Sequence, residues 1–169
     1  NESAQFAPVL MTQGTLASPD GKVRVSGVQV LGIDDRFFDF AKDPSQSPDL
    51  EQQNFWVSPD LAHELGVNVG TRMILRVEEP SLFSRDAPLS GERDARFVSW
   101  NRPFGGVLNS SQLGKFSLRA SMEPIRTVFA PLSLLQEDMF INFDPVGERT
   151  DFANLLLVLT NEPQNILEE

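Results

Sequence analysis

Chemistry in this 169-residue chain would have to be built from one imidazole, a few paired carboxylates and some glycine pairs. His63 is the sole histidine and could act as a general base. Its surroundings place it in the middle of a short helix beside Glu64, on a different face, with no Ser or Asp at triad-like positions. Proton transfer needs a converging set of groups rather than one titratable ring, so the simpler reading of His63 is structural. Asp34-Asp35, Glu78-Glu79 and Glu168-Glu169 could hold a hard cation such as calcium. Adjacent residues in a strand or turn point apart, however, and the D-x-D-x-D-G loop is missing, so solvated charge explains them better. Asp144, Glu148 and Asp151 around Gly147 form a looser acidic set in which an ion site is somewhat more plausible. Gly105-Gly106 and the Gly66/Gly70 pair match neither phosphate-cradling pattern, G-x-G-x-x-G or G-x-x-x-x-G-K-[ST]. Asn109-Ser110-Ser111 and Asn1-Glu2-Ser3 fit the glycosylation triplet, which is frequent by chance. The chain has no cysteine, which excludes disulfides, thiolate nucleophiles and Cys-ligated metals. The sequence therefore nominates no catalytic, cofactor-binding or metal-ligating residue, and it predicts no enzymatic activity.

The elements that would carry these residues centre on Asn54 to Glu78. Ser58 is a good N-cap and Pro59 suits the first turn, which predicts a short helix over Asp60 to Leu65 that Gly66 stops. Gly70 marks a second turn. In Arg72 to Glu78, Met73, Leu75 and Val77 alternate with charged residues, Ile74 excepted, as a half-buried strand requires. Upstream, Ser18-Pro19-Asp20-Gly21 is turn chemistry between two apolar arms, Phe6 to Leu16 and Lys22 to Ile33, and predicts a β-hairpin. The valines of the second arm change phase at Gly27, the signature of a β-bulge. Asp34 should cap a helical turn carrying Phe37, Phe38 and Phe40.

Lys42 to Gln53 reads as a polar surface loop, and Glu79 to Ala95 as the most mobile segment. Phe97 to Asn101 is extended and should end at Pro103-Phe104-Gly105-Gly106, with a further alternating stretch at Lys115 to Arg119. Val128 to Leu132 reads as a buried strand leading into a helix, with Ser133 and Gln136 at capping-box spacing. Asn142 to Thr150 is a loop. The continuous apolar run of Asn154 to Thr160 predicts a strand covered on both faces in mid-sheet. Ile166 to Glu169 is a frayed tail. Together these give an α+β fold: a mixed β-sheet with short helices from residues 1–33 and 127–169, and an inserted β-rich subdomain over 34–126.

Forty per cent hydrophobic and 22% charged residues suit a globular domain. The net charge of -10, without a basic cluster, opposes nucleic acid and anionic membrane surfaces alike. The longest strongly apolar run, Leu155 to Leu159, is far short of the roughly twenty residues a membrane helix needs. A start at Asn1, without an initiator Met and without a signal pattern, suggests a piece of a longer product.

Four segments, in order, carry a family resemblance: VQVLGIDDRFF from Val28 to Phe38, VSPDLAHELGVNVGTRMIL from Val57 to Leu75, VFAPLSLLQ from Val128 to Gln136, and NLLLV from Asn154 to Val158. They resemble the extracytoplasmic (periplasmic core) domain of MacB-like and FtsX-like ABC transporter permeases, across about residues 27–159. Glu79 to Met122 departs from that pattern. The resemblance implies a non-catalytic domain between two membrane helices, on the periplasmic face of the bacterial cytoplasmic membrane. Its implied partners are the permease's membrane helices, a cytoplasmic ATPase and in some cases a periplasmic protein; no cofactor is implied. Val57 to Leu75 alone also resembles the helix-turn-strand unit of a double-psi β-barrel, as in the C-terminal domains of molybdopterin-type oxidoreductases, which implies a cofactor-binding alternative.

Overall fold

Turn chemistry fixes the first two strands. In the computed structural model, which describes residues 5–78, 97–118, 126–139 and 152–159, β1 (Gln5–Ala17) and β2 (Arg24–Ile33) form an antiparallel hairpin. The turn between them is held by Ser18, whose Oγ donates to Asp20 Oδ1 at 2.5 Å and accepts from the Val23 N–H at 3.0 Å. The register runs Gly14 opposite Val28 and then Thr15 opposite Ser26, so Gly27 is the extra residue of a bulge. Its φ of +69° is one that L side chains rarely adopt. The bulge restores the phase, so that Val25, Val28 and Val30 all enter the same core.

The remaining strands are β3 (Phe55–Val57), β4 (Arg72–Glu78), β5 (Phe97–Val107), β6 (Thr127–Pro131) and β7 (Leu155–Leu159). Pairing runs from β1 to β2, β6, β3, β5, β4 and back to β1, which closes six strands into a ring. The β2–β6 and β3–β5 pairs are parallel and the others antiparallel. Around the ring the flanking strands β1, β2 and β6 sit together and the strands of 34–126, β3, β5 and β4, sit together, all in one mixed sheet. Each of the six strands contributes side chains to a single cluster that includes Leu16, Val28, Val57, Leu75, Trp100 and Val128, the packed interior of a small barrel.

Among the described residues, two α-helices join the ring. α1 (Pro59–Leu65) begins at Ser58, whose Oγ accepts from the Leu61 N–H, and ends where the Gly66 N–H donates to Ala62 O. α2 (Leu132–Met139) buries Leu132, Leu134, Leu135 and Met139 in the barrel cluster. Trp100 Nε1 donates to Asp138 Oδ2 at 2.5 Å, tying α2 to β5. On the other side of β2, β3 and β6, a second cluster of Leu31, Ile33, Trp56 and Phe129 lies against Phe37 and Phe38 of a 3-10 helix, Asp35–Phe40. The Phe37 ring meets Phe38 and Phe116 edge-on, at 5.6 and 5.7 Å.

Four expectations are corrected. β5 does not stop at Pro103 but runs to Val107, because it changes partner there: Phe97 to Pro103 pair with β4, and Phe104 to Val107 with β3. Gly105 makes that crossing possible, since a Cβ on it would lie 2.8 Å from Trp56 Cε2. Lys115 to Leu118 form no strand; Leu113 takes a left-handed φ of +63°, and the Gly114 N–H closes a turn on Asn109 O. α2 starts at Leu132, inside the expected cap, and Gln136 Nε2 donates to Phe152 O rather than completing a capping box. β7 is not central: among the described residues it pairs with β1 alone, and Leu156, Val158 and Leu159 are exposed. The predicted loops at Glu79 to Ala95 and Asn142 to Thr150, and the Ile166 to Glu169 tail, lie outside the described residues.

Candidate functional site

The parallel strands β2 and β6 end side by side, with Ile33 opposite Pro131, and the chain leaves each by a different route. After β2, Asp34 caps the 3-10 helix; after β6, α2 begins at once. Diverging connections at the carboxyl ends of parallel strands leave a gap. Here it is a cleft of about 490 Å³, lined by Pro8, Ile33, Leu50, Pro131 and Leu132 below and by Asp34, Asp35, Arg36, Glu51, Ser133 and Gln136 around its mouth.

Its electrostatics are mainly acidic. Asp34 is already engaged: Oδ1 accepts from the Arg36 backbone N–H at 3.0 Å, and Oδ2 accepts from Arg36 Nε and Nη2 at 3.0 and 2.5 Å. That carboxylate raises the Arg36 pKa above its ordinary value. Asp35 and Glu51 remain as exposed acids on the rim. Among the described residues of the lining Ser133 is the only hydroxyl and there is no histidine, so these residues present no nucleophile activated by a base. The arrangement suits contact with a cationic or polar group on an apolar floor. Sequence reasoning singled out Asp34 and Asp35 but missed Arg36, Leu50, Glu51 and Pro131, whose only signal was their position at strand and turn ends.

The other nominated residues do not converge. His63 is exposed in the last turn of α1, and neighbouring Glu64 pairs instead with Arg126 at 2.8 Å. Glu78 is exposed at the end of β4. Asn109 caps a 3-10 turn, accepting from the Ser111 and Gln112 N–H groups, while its own N–H donates to Gln112 Oε1. Gly105 and Gly106 pass under Trp56, and Gly66 and Gly70 make turns. Asp144, Glu148 and Asp151, Glu79, Glu168-Glu169 and Asn1-Glu2-Ser3 lie outside the described residues. Among the described residues, no group of three acidic, histidine or cysteine side chains is placed to hold a metal ion. Nor is any described helix long and apolar enough to cross a membrane.

A second feature lies at the barrel's edge. β7 runs antiparallel to the first half of β1, with Gln5 opposite Leu159 and Val9 opposite Leu155. Asn154 extends this ladder with its side chain: Oδ1 accepts from the Met11 N–H and Nδ2 donates to Met11 O, both at 2.7 Å. The inner side of the ribbon, Val9 with Leu155 and Leu157, packs on the outer cluster, and the outer side is open. No protein-family profile matches the chain, and no curated protein matches it.

Proposed function

We propose that this chain is a non-catalytic extracytoplasmic domain of an ABC transporter permease, which couples ATP hydrolysis in the cytoplasm to the handling of a substrate or partner outside the membrane. The observation that carries this reading is the placement of the four resembling segments. They occupy β2 with its 3-10 turn, the end of β3 with α1 and β4, β6–α2 and β7, and of these β2, β6 and β3 are neighbours in the sheet. Asn154, which opens the last segment, is the residue that bridges to Met11 and lays β7 on β1. With Gln5 opposite Leu159, the strand leading into the barrel and the strand leading out run side by side, as insertion into a larger chain requires. Its partners are then the permease's membrane helices, a cytoplasmic ATPase and, on the periplasmic side, a protein that meets the domain's surface. Nucleic acid does not fit a chain of net charge -10.

The domain works by contact and motion, without enzymatic activity, cofactor or metal. His63→Ala therefore leaves both transport by the parent protein and the domain's melting temperature unchanged. A large loss of transport with unchanged melting overturns that statement. The test of the whole reading is isolation of the full-length product. It should fractionate with the cytoplasmic membrane and co-purify with an ATP-hydrolysing subunit.

One observation favours the alternative of a cofactor-binding barrel in a molybdopterin-type oxidoreductase: six strands close into a ring that includes the α1–β4 unit. Against it stands the cleft, where Asp34, Asp35 and Glu51 outnumber Arg36 and would repel a dinucleotide's phosphates. A soluble full-length product with a large cofactor-binding domain supports this alternative.

A further inference from the structure

Three arginines share one outer face of the barrel. Met73, Leu75 and Val77 of β4 point into the core, so Arg72 and Arg76 point outward with half-buried Ile74 between them. Ala17 lies opposite Ile74, and Arg24 of β2 lies opposite Ala17. Val25 enters the core, which turns Arg24 outward as well. At about 3.4 Å per residue and about 4.8 Å between strands, the three Cα atoms form a triangle about 12 Å on a side. Arg24 is far from the other two in sequence, so no basic cluster is visible until β1 joins β2 to β4.

Neutral groups orient two of these guanidiniums. Arg72 donates from Nε to Asn101 Oδ1 at 2.9 Å and from Nη2 to Asn101 O at 2.8 Å, and Arg76 lies 4.0 Å from the centre of the exposed Phe97 ring. None of the three arginines has a carboxylate partner among the described residues, whereas Lys22, Arg36 and Arg126 pair with Asp20, Asp34 and Glu64. In a chain with 24 acids against 14 Lys and Arg, unpaired arginines grouped on one face call for a reason. The outward positions of 13–17, 24–26, 72–78 and 97–103 hold one acid, Glu78, against the three arginines, so this face is positive while the chain carries a net charge of -10.

We propose that this face docks an acidic segment of another protein. Here β1 is paired on both sides by β2 and β4, and β4 by β1 and β5, so no strand can be added and contact is made through side chains. Charge complementarity selects carboxylates, and the spacing of the arginines selects a chain bearing several of them over one small anion, which cannot bridge guanidiniums so far apart. Ile74 and Phe97 supply apolar contact between the charges, and arginine beside an aromatic ring is the mixture that protein interfaces favour. An anionic membrane, a nucleic acid or a second copy of the chain would also lie against the acidic surface beyond the patch and be repelled by it. A short segment seated on the face meets the arginines alone, because charges beyond about 8 Å are largely screened at physiological salt. The proposal stands apart from the permease reading, because it concerns one face of the chain by itself.

NMR titration of the isotope-labelled 169-residue chain with a peptide of glutamate, alanine and leucine tests it, at low and at physiological salt. Amide shifts are expected around Thr15, Arg24, Arg72, Arg76 and Asn101, with affinity falling as salt rises. Arg72→Gln/Arg76→Gln, at exposed positions, should weaken binding at least about tenfold, since two charge-assisted contacts are lost. Should that variant fail to fold, Arg24→Gln reads the same face from another strand and should weaken binding about threefold. Absence of binding, binding that survives in these variants, or shifts centred elsewhere would overturn the proposal. So would phosphatidylglycerol vesicles or single-stranded DNA that displace the peptide from the parent chain, or self-association of the chain that the same variants abolish.

Discussion

The α1–β4 unit and β7 are both short and apolar, yet one is set into the barrel wall and the other lies open at its edge. In the first, every joint carries a polar or backbone signal: Ser58 caps, Gly66 stops, and Met73, Leu75 and Val77 alternate with exposed Arg72, Arg76 and Glu78. In the second, five apolar residues follow one another without interruption, and beyond the backbone ladder to β1 the polar signal is Asn154, which bridges to Met11. Alternation states which face is buried. A continuous run states only that both faces tolerate burial, and what covers them depends on distant segments.

The largest difference should appear when each region loses a large side chain. Phe129, fully buried on β6, is expected to cost about 3–5 kcal/mol as Phe129→Ala, whereas Leu156→Ala on the open face should stay within about 0.5 kcal/mol. Urea unfolding of both variants checks this. Comparable losses would mean that β7 is as deeply integrated as β6.

Next in size is Ser58→Ala. The buried Ser58 Oγ accepts from the Leu61 and Thr127 N–H groups, so its removal unseats the α1 cap and strips a partner from β6 together. The expected loss is about 1–3 kcal/mol in unfolding free energy. Ser58→Thr should recover part of it.

Asn154→Ala should act locally instead. Losing both bonds to Met11 is expected to speed amide exchange in β7 and in Gln5 to Val9, with a global change of only about 0.5–1.5 kcal/mol. Slow exchange retained in β7 would show that its anchoring lies elsewhere.

The smallest effect belongs to the hairpin turn. The Ser18 hydroxyl, followed by the Lys22 N–H, holds the Asp20 carboxyl at a pKa of about 2, below the usual range. A depressed carboxyl pKa stabilises the fold above the unfolded value of about 3.9, and that contribution is lost as pH falls toward 2. Carboxyl-carbon NMR titration should place Asp20 near 2 in the parent chain and higher in Ser18→Ala. An unmoved midpoint would shift the cause to Lys22.

What could be read in advance follows the same division. The hairpin, the Gly27 bulge, α1, β4 and the Asp34 cap were legible because each rests on neighbours in sequence. The full course of β5 was not, since Pro103 and Gly105-Gly106 resemble breakers until β3 and β4 are known to share that strand. Ring closure was equally hidden, because it depends on β6 and β3 meeting between hairpins distant in sequence. Of the cleft, Asp34 and Asp35 were visible as acids, but their convergence with Glu51 and Pro131 required the tertiary fold.

We propose that this barrel works outside the cytoplasmic membrane as part of a permease. Protease added to intact spheroplasts that make the full-length product tests it most directly. The account predicts cleavage from outside, with the remaining fragments retained in the membrane beside an ATPase. Complete protection, together with release of the product as a soluble cofactor-bearing protein on lysis, would contradict it.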